Sequence, residues 1–191
     1  MVEAGRARVE LGSARGHGSA PVEALAQADI AALQAHADES LTLIDNSGED
    51  SFQADFVTVT KRLGPGPGTL LAAAASAASA SPGSADATAA QSDAPAWYAA
   101  HRRLRSLDDS GAHSQAVASA TGSGPQDSGT RFRLLDTTLD RSIAADQAVF
   151  QSHAVSGRDA TAGLEAGMIV LALIMAAGCA LGLRQRLAEY Q

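Results

Sequence analysis

Lysine is all but missing from this sequence. Lys61 is the only one, and the 14 basic residues are outnumbered by 21 acidic ones, for a net charge of −7. Basic stripes of the kind that track a phosphate backbone are absent, which excludes nucleic acid as a partner on electrostatic grounds. Aromatic residues make up only 4% of the chain, so any core must come from Leu, Val, Ile and Ala. Such small side chains favour closely packed helices, and the period-two Val/Ile/Tyr runs that mark strands are nearly absent. Cys179 is the single cysteine, which excludes an intrachain disulfide and a Cys/His metal cluster. No phosphate-binding glycine loop, no His-Glu-x-x-His and no Gly-x-Ser-x-Gly appears, so neither an enzyme nor a cofactor site is expected.

What the chain does contain is one long apolar run. From Ala166 to Leu183 there is no charged residue. A helix from about Leu164 to Leu183, with a rise of about 1.5 Å per residue, spans about 27–30 Å, the thickness of a bilayer's hydrocarbon core. Arg184 and Arg186 follow at once, and the positive-inside rule places residues 184–191 in the cytoplasm of a bacterial cell. The bulk of the chain is then extracytoplasmic. Residues 1–25 lack a hydrophobic signal core. The chain is therefore expected to be the C-terminal part of a longer membrane protein. Gly178 and Gly182, spaced Gly-x-x-x-Gly, let two membrane helices approach closely, so other membrane helices and a homodimer are among the expected partners.

Before the run, four helical stretches can be read. The first spans about Pro21 to Ile44, with proline in the first turn and an apolar stripe of Ala26, Ile30, Leu33, Ala37, Leu41 and Ile44. That stripe is expected to face the core, and Asn46-Ser47-Gly48 to stop the helix. The second begins near Asp50 or Ser51, carries Phe52, Phe56, Val59 and Leu63 on one side, and breaks at Gly64-Pro65-Gly66-Pro67-Gly68. A short helix resumes at Thr69. Residues 80–94, rich in Ala and Ser, read as a flexible linker. The third helix is expected from Pro95, with Trp97, His101, Leu104 and Leu107 aligned, and a weak helix follows over His113 to Ala120. Residues 121–130 form a glycine-rich loop. The fourth, with Phe132, Leu135, Leu139, Ile143, Val149 and Phe150, is expected to run on into the membrane segment.

The fold class is therefore all-α: an up-and-down bundle of three or four helices whose last helix continues into a single C-terminal transmembrane helix. Residues 1–18 read as weakly ordered, 19–162 as the extracytoplasmic bundle, 163–183 as the membrane helix. Polar clusters offer candidate partner contacts: Asp38 and Glu39 beside His36 on the first helix, and Arg102 and Arg103 on the third. Each cluster also fits a solvated helix face, with one histidine tucked into the bundle. Asp29 and Asp146 are mid-helix acids that either pair with arginines or face water.

The stretch from Gln27 to Ile44, the Asp50–Phe56 segment Asp-Ser-Phe-Gln-Ala-Asp-Phe, and the fourth helix with Phe132-Arg-Leu-Leu-Asp136 and Gln147-Ala-Val-Phe150 resemble the extracytoplasmic region of actinobacterial GlnX-like membrane proteins. The resemblance covers about two thirds of the chain. It implies a helical outer domain ahead of a final membrane span that passes the state of an amino-acid-binding lipoprotein to a Ser/Thr kinase pathway inside the cell. A solute-binding lipoprotein would then be a partner. The family's upstream span has no counterpart in this sequence. With only eight residues after the membrane run, a sensor of this kind signals through a partner; the alternative is a cell-envelope tether without a signalling role.

Overall fold

A computed structural model of the chain describes residues 20–45 and 51–152. The chain divides into two compact units, Met1–Phe150 and Gln151–Gln191, and the helical bundle is the first of them. All regular structure among the described residues is helical: α1 Ala20–Ile44, α2 Ser51–Leu63, α3 Leu70–Ala77, α4 Ser84–Asp109, α5 His113–Thr121, and α6, helical from residue 128 through the end of this unit.

The breaks fall where backbone chemistry demands them. α2 stops at Leu63 because the two prolines that follow cannot donate into a helix. The turn is then closed by Thr69, whose hydroxyl donates to the carbonyls of Gly64 and Gly66, and Gly68 supplies a φ of +82°. Leu63, Phe56 and Val59 all point inward, as their spacing predicts.

Two expectations are corrected. The stretch read as a linker is largely helix: α4 begins at Ser84, eleven residues before Pro95. Ala87, Ala90 and Ala94 carry the buried seam of Trp97 and Leu104 back toward the helix start at intervals of three and four. Alanine is both the strongest helix former and a common linker residue, so composition alone misled. Pro95 is tolerated because it lies on the exposed side of α4.

The second correction concerns α1. The stripe expected to face the core faces solvent instead. Ile30, Leu33, Leu41 and Ile44 are exposed, Ile44 by 75%. The buried side of α1 is Leu25, Ala28, Ala31, Ala32, Ala35, Glu39 and Leu43. α1 thus has two apolar faces on opposite sides, and the thinner one is chosen for the core. An alanine face lets neighbouring backbones come close, which a bundle with few large side chains requires.

The main core gathers Leu25 and the α1 alanines with Phe56, Leu63, Leu71, Trp97, Phe132, Leu135 and Leu139. A smaller cluster of Leu43, Leu104 and Ala116 pins α5. No helix among the described residues is long and apolar enough to cross a membrane. The run Leu164–Leu183, Gly178, Gly182, Arg184, Arg186 and the N-terminal 18 residues lie outside the described residues.

Candidate functional site

Four helices meet at a polar centre. Glu39 of α1 is fully buried. Its Oε2 accepts hydrogen bonds from His101 Nδ1 of α4 at 2.7 Å and from Ser128 Oγ of α6 at 2.7 Å. The far ring nitrogen of His101 meets Gln53 Oε1 of α2 at 3.0 Å. Because an amide has one donor end and one acceptor end, Gln53 can satisfy that nitrogen in either protonation state. His36 Nδ1 lies 3.6 Å from the other Glu39 oxygen, too long for a hydrogen bond but close enough to act through its dipole or charge.

Burial by itself pushes the Glu39 carboxyl up. The hydrogen bond from His101, the nearby His36 ring, the hydrogen bond from Ser128 and the His101 charge outweigh it and hold the group at about 2. Glu39 is therefore a carboxylate at neutral pH, which makes His101 Nδ1 a donor.

Aromatic rings wall this centre. His101 stacks on Phe56 with centroids 3.5 Å apart, and His36 on Phe132 at 3.8 Å. Trp97 bridges the two pairs, edge-on to Phe56 at 5.6 Å and tilted to Phe132 at 5.2 Å. Four of the chain's seven aromatic residues, Phe56, Trp97, Tyr98 and Phe132, are spent on this cluster. The scarce large side chains are concentrated where four helices must agree on one register.

Chemically, the centre is a lock. The Ser128 hydroxyl gives its proton to the carboxylate and not to the histidine, so it is not set up as a base-activated nucleophile. Beside His101 a surface groove of about 550 Å³ opens, lined by Gln53, Arg102, Arg105 and Asp109. Its charges are partly spent on each other. Arg105 donates to Asp108 at 2.8 Å and to Asp109 at 2.7 Å.

A second buried acid fastens the other end of the bundle. Asp146 of α6 accepts from the Gly83 backbone N–H and from Ser81 Oγ, both at 2.9 Å, while Ser142 Oγ donates to the Gly83 carbonyl. It caps the N-terminus of α4 from a neighbouring helix, where the dipole favours negative charge. A Cβ at Gly83 would sit 2.6 Å from the Ser142 carbonyl oxygen, so the close approach needs glycine.

The residues singled out from sequence separate. Arg102 and Arg103 are exposed, and Arg103 reaches Gln126 at 3.0 Å. Asp38 and Glu39 are corrected from surface contacts to interior groups, because they lie on the buried side of α1. Burial, and then the charge of Asp55, raise the Asp38 carboxyl. Asp29 finds no arginine among the described residues. Burial first, then Asp136 and Asp140 across α6, push it above the usual carboxylate range. Nothing in the sequence signalled a part in this centre for Ser128 or Gln53, since those roles come from long-range meetings. No group of three or more metal-ligating side chains occurs among the described residues.

The remaining candidate surface is the outer face of α1. Every exposed residue from Gln27 to Ile44 is uncharged: Gln27, Ile30, Leu33, Gln34, Ala37, Leu41 and Ile44. In a chain of net charge −7, a face without exposed charge is less costly to take out of water than a charged one. No protein-family model, no curated protein and no solved structure matches the chain.

Proposed function

We propose that this chain is a membrane-anchored helical docking and signal-transducing protein that acts through protein partners, its bundle extracytoplasmic and residues 184–191 in the cytoplasm. The observation that carries the docking part is the outer face of α1. Contiguous exposed apolar patches larger than a few hundred Å² mark interaction surfaces, and Ile30, Leu33, Ala37, Leu41 and Ile44 form one exposed stripe with no exposed charge from Gln27 to Ile44. The apolar run Leu164–Leu183 with its arginine flank supports the anchor. An up-and-down arrangement of α1, α2, α4 and α6, the topology expected from the sequence, is the proposed path for transmission. The Glu39–His101–Ser128 lock couples three of those helices, so a load on α1 reaches α6. The resemblance to GlnX-like proteins makes a solute-binding lipoprotein a candidate input.

The reading is tested by thiol labelling of the full chain in intact cells, with Cys179→Ser as background. Thr88→Cys, on an exposed part of α4, should react with an impermeant maleimide from outside, and Gln185→Cys only after permeabilisation. Ala37→Cys, in the middle of the α1 face, should react slowly in membranes, and quickly when Leu41→Glu on the same face is added to disrupt its cover. Equal rates at Ala37→Cys and Thr88→Cys in membranes would leave the face uncovered and reduce the protein to a tether.

A further inference from the structure

The outer stripe of α1 has an internal symmetry. Its members are Ile30, Leu33, Ala37, Leu41 and Ile44. Read outward from Ala37 in either direction, the stripe gives Leu at four residues and Ile at seven. Residue type and spacing are both palindromic. We propose that this face binds a second copy of the chain, α1 against α1 in antiparallel fashion, with the two-fold axis at Ala37. This rests on the docking role proposed for the same face and names its partner.

A two-fold interface must be self-complementary: if residue i meets j, then j meets i. Antiparallel pairing about Ala37 sets Leu33 against Leu41 of the second copy and Ile30 against Ile44. Alanine at the axis keeps the side chains small where the two helices are nearest, so the backbones can close on each other. On one flank the exposed Gln27 and Gln34 carry no charge; on the other, Ser40 is half-buried and uncharged and the half-buried Asp29 is the one acid. Two molecules of net charge −7 repel at a distance, and the same two-fold sets half-buried Asp29 level with Asp45 of the second copy at the edge of the stripe, so the apolar stripe and not the charges drives the pairing. A lipid surface fits less well. Helices that lie in a membrane interface border their apolar face with Lys and Arg, and α1 contains neither.

The pairing makes a specific cross-linking pattern. In the full chain with Cys179→Ser, Ala37→Cys meets itself at the axis and should be captured as a covalent dimer by a short thiol cross-linker. Leu33→Cys should not pair with itself, because eight residues of helix, about 12 Å, separate the two copies of that position. A mixture of Leu33→Cys and Leu41→Cys chains should give the heterodimer. The expected contrast is at least tenfold in dimer yield between Ala37→Cys and Leu33→Cys alone. Self-linking at all of positions 30, 33, 37, 41 and 44 would mean parallel pairing and overturn the proposal. So would an intramolecular bond between Ala37→Cys and a retained Cys179, which would put the chain's own apolar run on this face. Protection of Ala37→Cys from maleimide without any dimer would overturn self-pairing while leaving the docking reading intact. Free labelling without any dimer would sink both.

Discussion

The two sides of α1 are made of different materials. The inner side is alanine with a leucine near each end and the two acids Asp38 and Glu39; the outer side is isoleucine and leucine around a single alanine. By hydrophobicity alone the outer side should be the buried one. The core instead takes the face that lets helices approach and that presents Glu39 to His101 and Ser128. The lesson is that apolar periodicity shows that a face will be covered, and not by what. A bundle short of aromatic side chains packs on its thin faces, and the thick face is left for something else.

That contrast can be broken from the inside first. Glu39→Ala should cost about 3–5 kcal/mol, because it leaves two buried donors, His101 and Ser128, without their acceptor at roughly 1–3 kcal/mol each, and urea unfolding at micromolar protein will show it. The pH profile identifies the cause. The Glu39 carboxyl is held down, so its contribution is present above the unfolded value near 4.5 and is lost as pH falls toward about 2. Glu39→Gln should flatten that acid limb.

Matched leucines give the next largest contrast. Leu25→Ala removes a fully buried side chain of the inner face and should destabilise by about 2–5 kcal/mol. Leu33→Ala, on the outer face, should change the stability of the dilute monomer by no more than about 0.5 kcal/mol. Equal costs would erase the distinction between the two faces.

Matched alanines sharpen it further. Ala35→Leu adds volume to a closely packed face and should cost about 1–3 kcal/mol. Ala37→Leu should leave monomer stability unchanged while moving the helices apart wherever two copies meet.

The smallest effect concerns the border between the faces. Asp29 is raised by burial and by Asp136 and Asp140. Its charged form is therefore the disfavoured one, and Asp29→Asn should raise the melting temperature slightly at neutral pH. The gain should shrink as pH falls, and vanish once the wild-type carboxyl is protonated in both the folded and the unfolded state.

Much of this architecture is visible in the sequence. The Pro/Gly cluster at 64–68, the Phe56–Val59–Leu63 seam and the Trp97–Leu104 seam each follow from spacing and backbone chemistry. The start of α4 does not, because Ala87, Ala90 and Ala94 look the same in a linker as in a packed helix. Glu39 shows why the site was only half readable. Its position three residues after His36 is local, but its partners lie 62 and 89 residues away, and nothing local distinguishes Ser128 from the other serines of a serine-rich chain. Gly83 is similar: its need for glycine comes from Ser142 on another helix.

The central claim is that the outer face of α1 is built for association and not for folding. Sedimentation equilibrium of the full chain in a density-matched detergent tests it most directly, comparing wild type with Leu41→Glu alongside circular dichroism. The account predicts two copies per particle for wild type and one for Leu41→Glu, with the same helix content. An unchanged mass, or a variant that loses its helices, would contradict it.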